Sequence, residues 1–72
     1  MPDWAVARQR EIGERIRITR GNAGMSQVQL GERIDRDHKT IHRWETTQGL
    51  PNLLDLLLLS DTLDIPLVRL VD

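Results

Sequence analysis

Five side chains between residues 38 and 46 carry the chemistry this sequence is best equipped for: His38, Lys39, His42, Arg43 and Thr46. On a helix of 3.6 residues per turn they fall within one arc of about 140°. The arc holds hydrogen-bond donors and no acid. Arginine and lysine donate to guanine O6 and N7, and threonine can donate, accept or touch a thymine methyl, so this is what a helix in a DNA major groove requires. Ile41 and Trp44 fall on the other side, where a core is expected. A merely solvated face would carry similar charges. His38 and His42 are also four residues apart, a spacing that can clasp zinc. The chain has no cysteine, and the only further ligands nearby are Asp35 and Asp37, so no metal is expected. No nucleophile–base–acid constellation and no phosphate loop is visible, so neither an enzyme nor a cofactor is expected. Trp44 reads as a core or rim residue rather than a ligand platform, and no small-molecule site is evident.

These residues need a scaffold, and the periodicity predicts five helices. The first runs from about Asp3, its expected cap, to about Arg20, with Ile12 and Ile16 on one face. Gly21-Asn22-Ala23-Gly24 breaks it. Ser26 and Gln29 form a capping box for a second helix, with Met25 as a hydrophobic staple and Val28, Leu30 and Ile34 as its apolar side. Asp35-Arg36 make a turn, and Asp37 caps a third helix over about 38–46. After the loop 47–51, Asn52 caps a fourth helix whose leucine run, apolar nearly all round, predicts a buried central rod. Asp64 ends it, and Pro66 starts a short last helix over 65–71. The expected fold class is all-α: a compact five-helix bundle containing a helix-turn-helix.

Composition bounds the rest. Seventy-two residues fit one domain over 1–72, and a chain this short buries only about 60% of its unfolded surface. Without cysteines no disulfide helps the core. No apolar run reaches the ~18 residues of a spanning helix, and the first residues lack the apolar stretch of a signal peptide. The expected location is therefore the cytoplasm, with no membrane partner. Residues 1–44 carry nine cations against six anions, and residues 45–72 carry one against five, for a net charge of −1. A basic first part and an acidic last part suggest a charged working face and an end that faces elsewhere.

Three stretches carry a resemblance. Ile12-Gly13-Glu14-Arg15-Ile16-Arg17, then Met25-Ser26-Gln27-Val28-Gln29-Leu30-Gly31-Glu32-Arg33-Ile34, then Thr40-Ile41-His42-Arg43-Trp44-Glu45 with Leu50-Pro51-Asn52-Leu53 resemble the Xre/Cro-type, lambda-repressor-like family over about residues 10–71. That resemblance implies a five-helix bundle and repression by dimers on palindromic operators in double-stranded DNA. It implies that His38, Lys39, His42 and Arg43 read base edges, that Gln27 binds a phosphate, and that Thr46 often touches one. It also implies that Arg20 and Glu45 form a bridge from the first helix to the third. Departures are informative. Asp35 stands where the family turn has glycine. Arg36 replaces a buried aliphatic residue and is expected to snorkel to a phosphate. Thr19 replaces a core leucine. Gly31 replaces a helix-favouring alanine and is expected to weaken the helix. Thr47 stands at a frequent glycine, with Gly49 expected to supply the turn.

Two functions from different classes fit this reading: a DNA-binding regulator, and a protein-interaction module of the same fold, antitoxin-like or a co-regulator subunit, working through its acidic end. The basic arc favours the first. Ile65, Leu67, Val68, Leu70 and Val71 exceed what a seven-residue helix can bury in one small bundle, so part of this set is expected to form a two-fold dimer contact. The two third helices would then lie about 34 Å apart, one DNA turn.

Overall fold

The computed structural model describes residues 2–72. It holds five helices, α1 (Asp3–Asn22), α2 (Gln27–Ile34), α3 (His38–Glu45), α4 (Leu53–Leu63) and α5 (Leu67–Val71), and no strand among the described residues. Most of the boundaries have a local cause. Ser26 and Gln29 form a reciprocal capping box at α2, as do Asn52 and Asp55 at α4. Asp37 accepts from the Lys39 amide at 2.8 Å to open α3. Such caps satisfy donors the helix itself leaves unpaired, each worth about 1 kcal/mol. Pro2 rather than Asp3 precedes the first turn of α1, and Asp3 sits inside it, where its charge suits the helix dipole. Pro66 likewise precedes α5 instead of starting it.

The core takes one fully buried side chain from every helix: Ile16, Leu30, Ile41, Leu59 and Leu70. Each contributes roughly 1.5–3 kcal/mol relative to exposure. Ile34, Trp44 and Leu63 complete the cluster. Because Trp44 and Ile41 face inward, the opposite side of α3 must face out.

Four further expectations about the fold need correction. The leucine-rich helix α4 is not a buried rod: Leu53, Leu54 and Leu57 are about half exposed or more, and its buried residues are Asp55, Leu59 and Leu63. With five short helices, only one side of α4 can be covered. Leu70 is wholly buried in its own chain's core, so it cannot serve a dimer contact; Ile65 and Val71 also pack on that core, and Val68 is the exposed member of the set. Gly31 is not a weak spot, because a Cβ there would lie 2.5 Å from the Arg36 carbonyl oxygen. The turn after α2 folds back so tightly that only glycine fits. Finally, the loop after α3 turns on Thr47 itself, at φ 63°, while Gly49 adopts no left-handed conformation. A β-branched residue is strained there. Asp35, by contrast, takes the left-handed position after α2 at φ 57°, a conformation that aspartate tolerates well.

Candidate nucleic-acid interface

Helices α2 and α3 are joined through Asp35, Arg36 and Asp37. Gly31 sets how closely the turn approaches α2, and Gly13 sets how closely α1 approaches α3, since a Cβ on Gly13 would collide with the Trp44 carbonyl oxygen. The result fixes α3 from two sides. His38, Lys39, His42, Arg43 and Thr46 are all exposed on its outer face, and Thr40 is half-buried at the edge. The side chains of Lys39 and Arg43 make no hydrogen bond or ion pair among the described residues. Both are therefore free to reach a ligand.

The one acid on α3, Glu45, would spoil this face if it were turned outward. It is turned inward instead. Arg20 on α1 grips both carboxylate oxygens, Nε to Oε2 at 2.7 Å and Nη2 to Oε1 at 3.0 Å. The side chains are 17% and 3% exposed for Arg20 and Glu45, so the charge is nearly removed from solvent. The hydrogen bond to Glu45 is the main cause that holds the Arg20 guanidinium above its ordinary pKa. Arg20 also donates to the Met25 carbonyl at 2.8 Å, just before the α2 cap. One side chain thus pins α1, α2 and α3 together.

Gln27, the first residue of α2, turns its amide nitrogen toward this bridge. Nε2 donates to Glu45 Oε1 at 3.1 Å and lies 3.5 Å from His42 Nδ1. Thr46 donates its hydroxyl to the His42 carbonyl at 2.7 Å. Arg36, expected at a phosphate, is turned the other way: it binds Asp55 Oδ1 through Nε and Nη2, both at 2.8 Å, and donates to the Asp35 carbonyl at 3.0 Å. Burial explains this, since Asp55 is 6% exposed inside α4 and a buried carboxylate needs a partner. An acid within a leucine run, together with an arginine where an aliphatic side chain was expected, was the sequence signal for this pair. A second missed contact, Gln9 Nε2 to the Thr47 carbonyl at 3.2 Å, latches the loop after α3 onto α1; nothing in the local pattern marks it.

His38 lies 3.5 Å from Asp37 through Nδ1. Among the described residues, no three His, Cys, Asp or Glu side chains gather as a metal site, and no helix is long and apolar enough to cross a membrane.

Two short helices at a tight turn, the second presenting a solvent-facing row of donors, make a helix-turn-helix unit. Comparison with known proteins agrees: a family model described as a helix-turn-helix domain matches residues 11–70. The chain belongs to this family of DNA-binding domains. No curated protein and no solved structure matched it.

Proposed function

We propose that this protein is a sequence-specific transcriptional repressor of the Xre/Cro type, working as a homodimer on a palindromic operator with α3 in the major groove. The carrying observation is the outer face of α3, where four exposed side chains, His38, Lys39, His42 and Arg43, offer donors while the neighbouring Glu45 is withdrawn and paired with Arg20. His38, Lys39, His42 and Arg43 read base edges in this account. Arg43 suits a guanine edge because its planar fork makes two parallel donor bonds. The free backbone N–H groups at the start of α2 hold a phosphate. The protein performs no catalysis, needs no cofactor, and acts in the cytoplasm of a prokaryotic or phage-encoded system.

The body measures 33 × 24 × 21 Å, so two copies side by side can set their α3 helices about 34 Å apart, one turn of DNA. The exposed Leu54, Leu57 and Val68 offer apolar surface for that pairing. The test is a gel shift against genomic fragments at low salt, followed by a salt titration. One bound fragment class with a steep salt slope supports the reading, and sedimentation shows whether two copies bind. Equal, weak binding to every fragment defeats it. A second reading rests on Leu50, Leu53, Leu54 and Leu57, all about half exposed or more: a protein-interaction module of the same fold, antitoxin-like or a co-regulator subunit. It takes first place if no fragment is selected.

A further inference from the structure

We infer that Gln27 is a positioning residue for His42, holding it to read a hydrogen-bond acceptor on a base edge, rather than a side-chain clamp on a phosphate. The inference deepens the DNA-binding reading above and rests on it. Its starting point is Glu45, which cannot drift, because Arg20 holds both oxygens and the side chain is 3% exposed. A carboxylate only accepts hydrogen bonds. The Gln27 carboxamide must therefore face Glu45 with its nitrogen, which fixes the flip of the amide. The NH2 group has two protons. One goes to Glu45 Oε1 at 3.1 Å, and the other is directed to His42 Nδ1 at 3.5 Å, at the long end of hydrogen-bond reach. Neither remains for a phosphate.

The consequence falls on the imidazole. With Nδ1 facing a donor, Nδ1 must accept, so the neutral ring carries its proton on Nε2. Nε2 lies on the far side of the ring from Gln27, and His42 is exposed on the outer face of α3. His42 therefore meets DNA as a donor without first being protonated. In the major groove it suits guanine O6 or N7, adenine N7 or thymine O4, and it is mismatched to the N4 donor of cytosine. Met25, Arg20, Glu45, Gln27 and His42 form one chain of contacts from the start of α2 to the reading surface.

The test substitutes Gln27→Met, which keeps the length of the side chain and removes both protons. In the free protein at pH 8, the Nδ1 nitrogen resonance of His42 should shift from its parent position while that of His38 stays. An unmoved His42 resonance overturns the inference whether or not DNA binds. In the parent alone, the Gln27 amide protons should give through-space cross-peaks to the His42 ring; their absence overturns it too, and this needs no variant to fold. On DNA, binding-site selection with Gln27→Met should lose roughly tenfold discrimination at the same base pair that His42→Ala relaxes, with the double variant no further relaxed. Uniform weakening with the base preference intact would restore Gln27 as a phosphate clamp. If the parent selects no sequence, the proposed function fails, and the free-protein spectra still decide for or against the relay.

Discussion

The Arg20–Glu45 and Arg36–Asp55 bridges use the same chemistry at opposite ends of the helix-turn-helix unit. The first runs beneath α3 and ties it to α1; the second runs from the turn between α2 and α3 to the cap of α4. In each, other groups complete the coordination: the Gln27 side chain donates to Glu45 at 3.1 Å, and the Asn52 backbone N–H donates to Asp55 Oδ2 at 3.1 Å. They differ in how far the cation has left water, since Arg20 is 17% exposed and Arg36 is 30% exposed. They differ also in grip, because Arg20 engages both carboxylate oxygens and Arg36 only one. The tighter, drier bridge lies under the exposed outer face of α3, and the looser one lies toward the half-exposed leucines of α4. Rigidity is concentrated where α3 must be aimed.

That ranking can be broken. Arg20→Ala leaves Glu45 charged and buried without its main partner, which should cost ~3–5 kcal/mol. A domain of this size has a total stability of only about 4–11 kcal/mol, so urea unfolding should show a midpoint lowered by roughly a third or more. Replacing both members, Arg20→Met with Glu45→Leu, should recover most of that loss, because no buried charge remains. Arg36→Ala should cost less, about 1–3 kcal/mol, since Asp55 keeps the Asn52 amide and Arg36 has more water around it. A loss for Arg36→Ala equal to that for Arg20→Ala would overturn the ranking by burial.

Smaller changes sharpen the contrast. Thr47→Gly relieves the left-handed strain in the loop that separates the two regions and should raise stability by about 1 kcal/mol, read as a higher thermal midpoint. Its carbonyl stays in place for Gln9. The smallest effect belongs to pH. The Lys39 amide, donating to Asp37, is the main cause that holds the Asp37 carboxyl below its usual range. A carboxylate with a lowered folded pKa stabilises fully above its unfolded value near 3.9 and loses that contribution as pH falls through the folded value. Between pH 5 and pH 2.5, the parent should therefore lose stability more steeply than Asp37→Asn, which has no such proton to gain. Parallel curves would mean that the α3 cap does not depend on charge.

Much of the scaffold was legible in the chain because the signals were local. The capping residues Ser26, Gln29, Asp37 and Asn52 act within a turn, and each stands at the start of a helix. Ile41 and Trp44 announced the inner face of α3 by spacing alone. What was misread depended on distant partners. A leucine run shows that α4 is apolar but not how much of it neighbours cover. Arg36 read as a phosphate ligand because its partner Asp55 lies 19 positions on. Gly31 read as a weakness because the Arg36 carbonyl that forbids a side chain is brought there only by the turn. Gln27 was placed at the interface, but its engagement with Glu45 and His42 needs α2 and α3 in register.

The freedom of Lys39 and Arg43 has a consequence for descent. Neither side chain is tied into the fold by a polar contact among the described residues, while the residues that aim α3 — Gly13, Arg20, Trp44 and Glu45 — all lie behind it. The outward letters of the helix can drift between one lineage and the next while the frame beneath stays constant. A new target then takes a few codon changes and leaves the folding problem already solved. His42 is the exception, since it alone of these three touches the frame through Gln27, so it should diverge more slowly than Lys39 and Arg43.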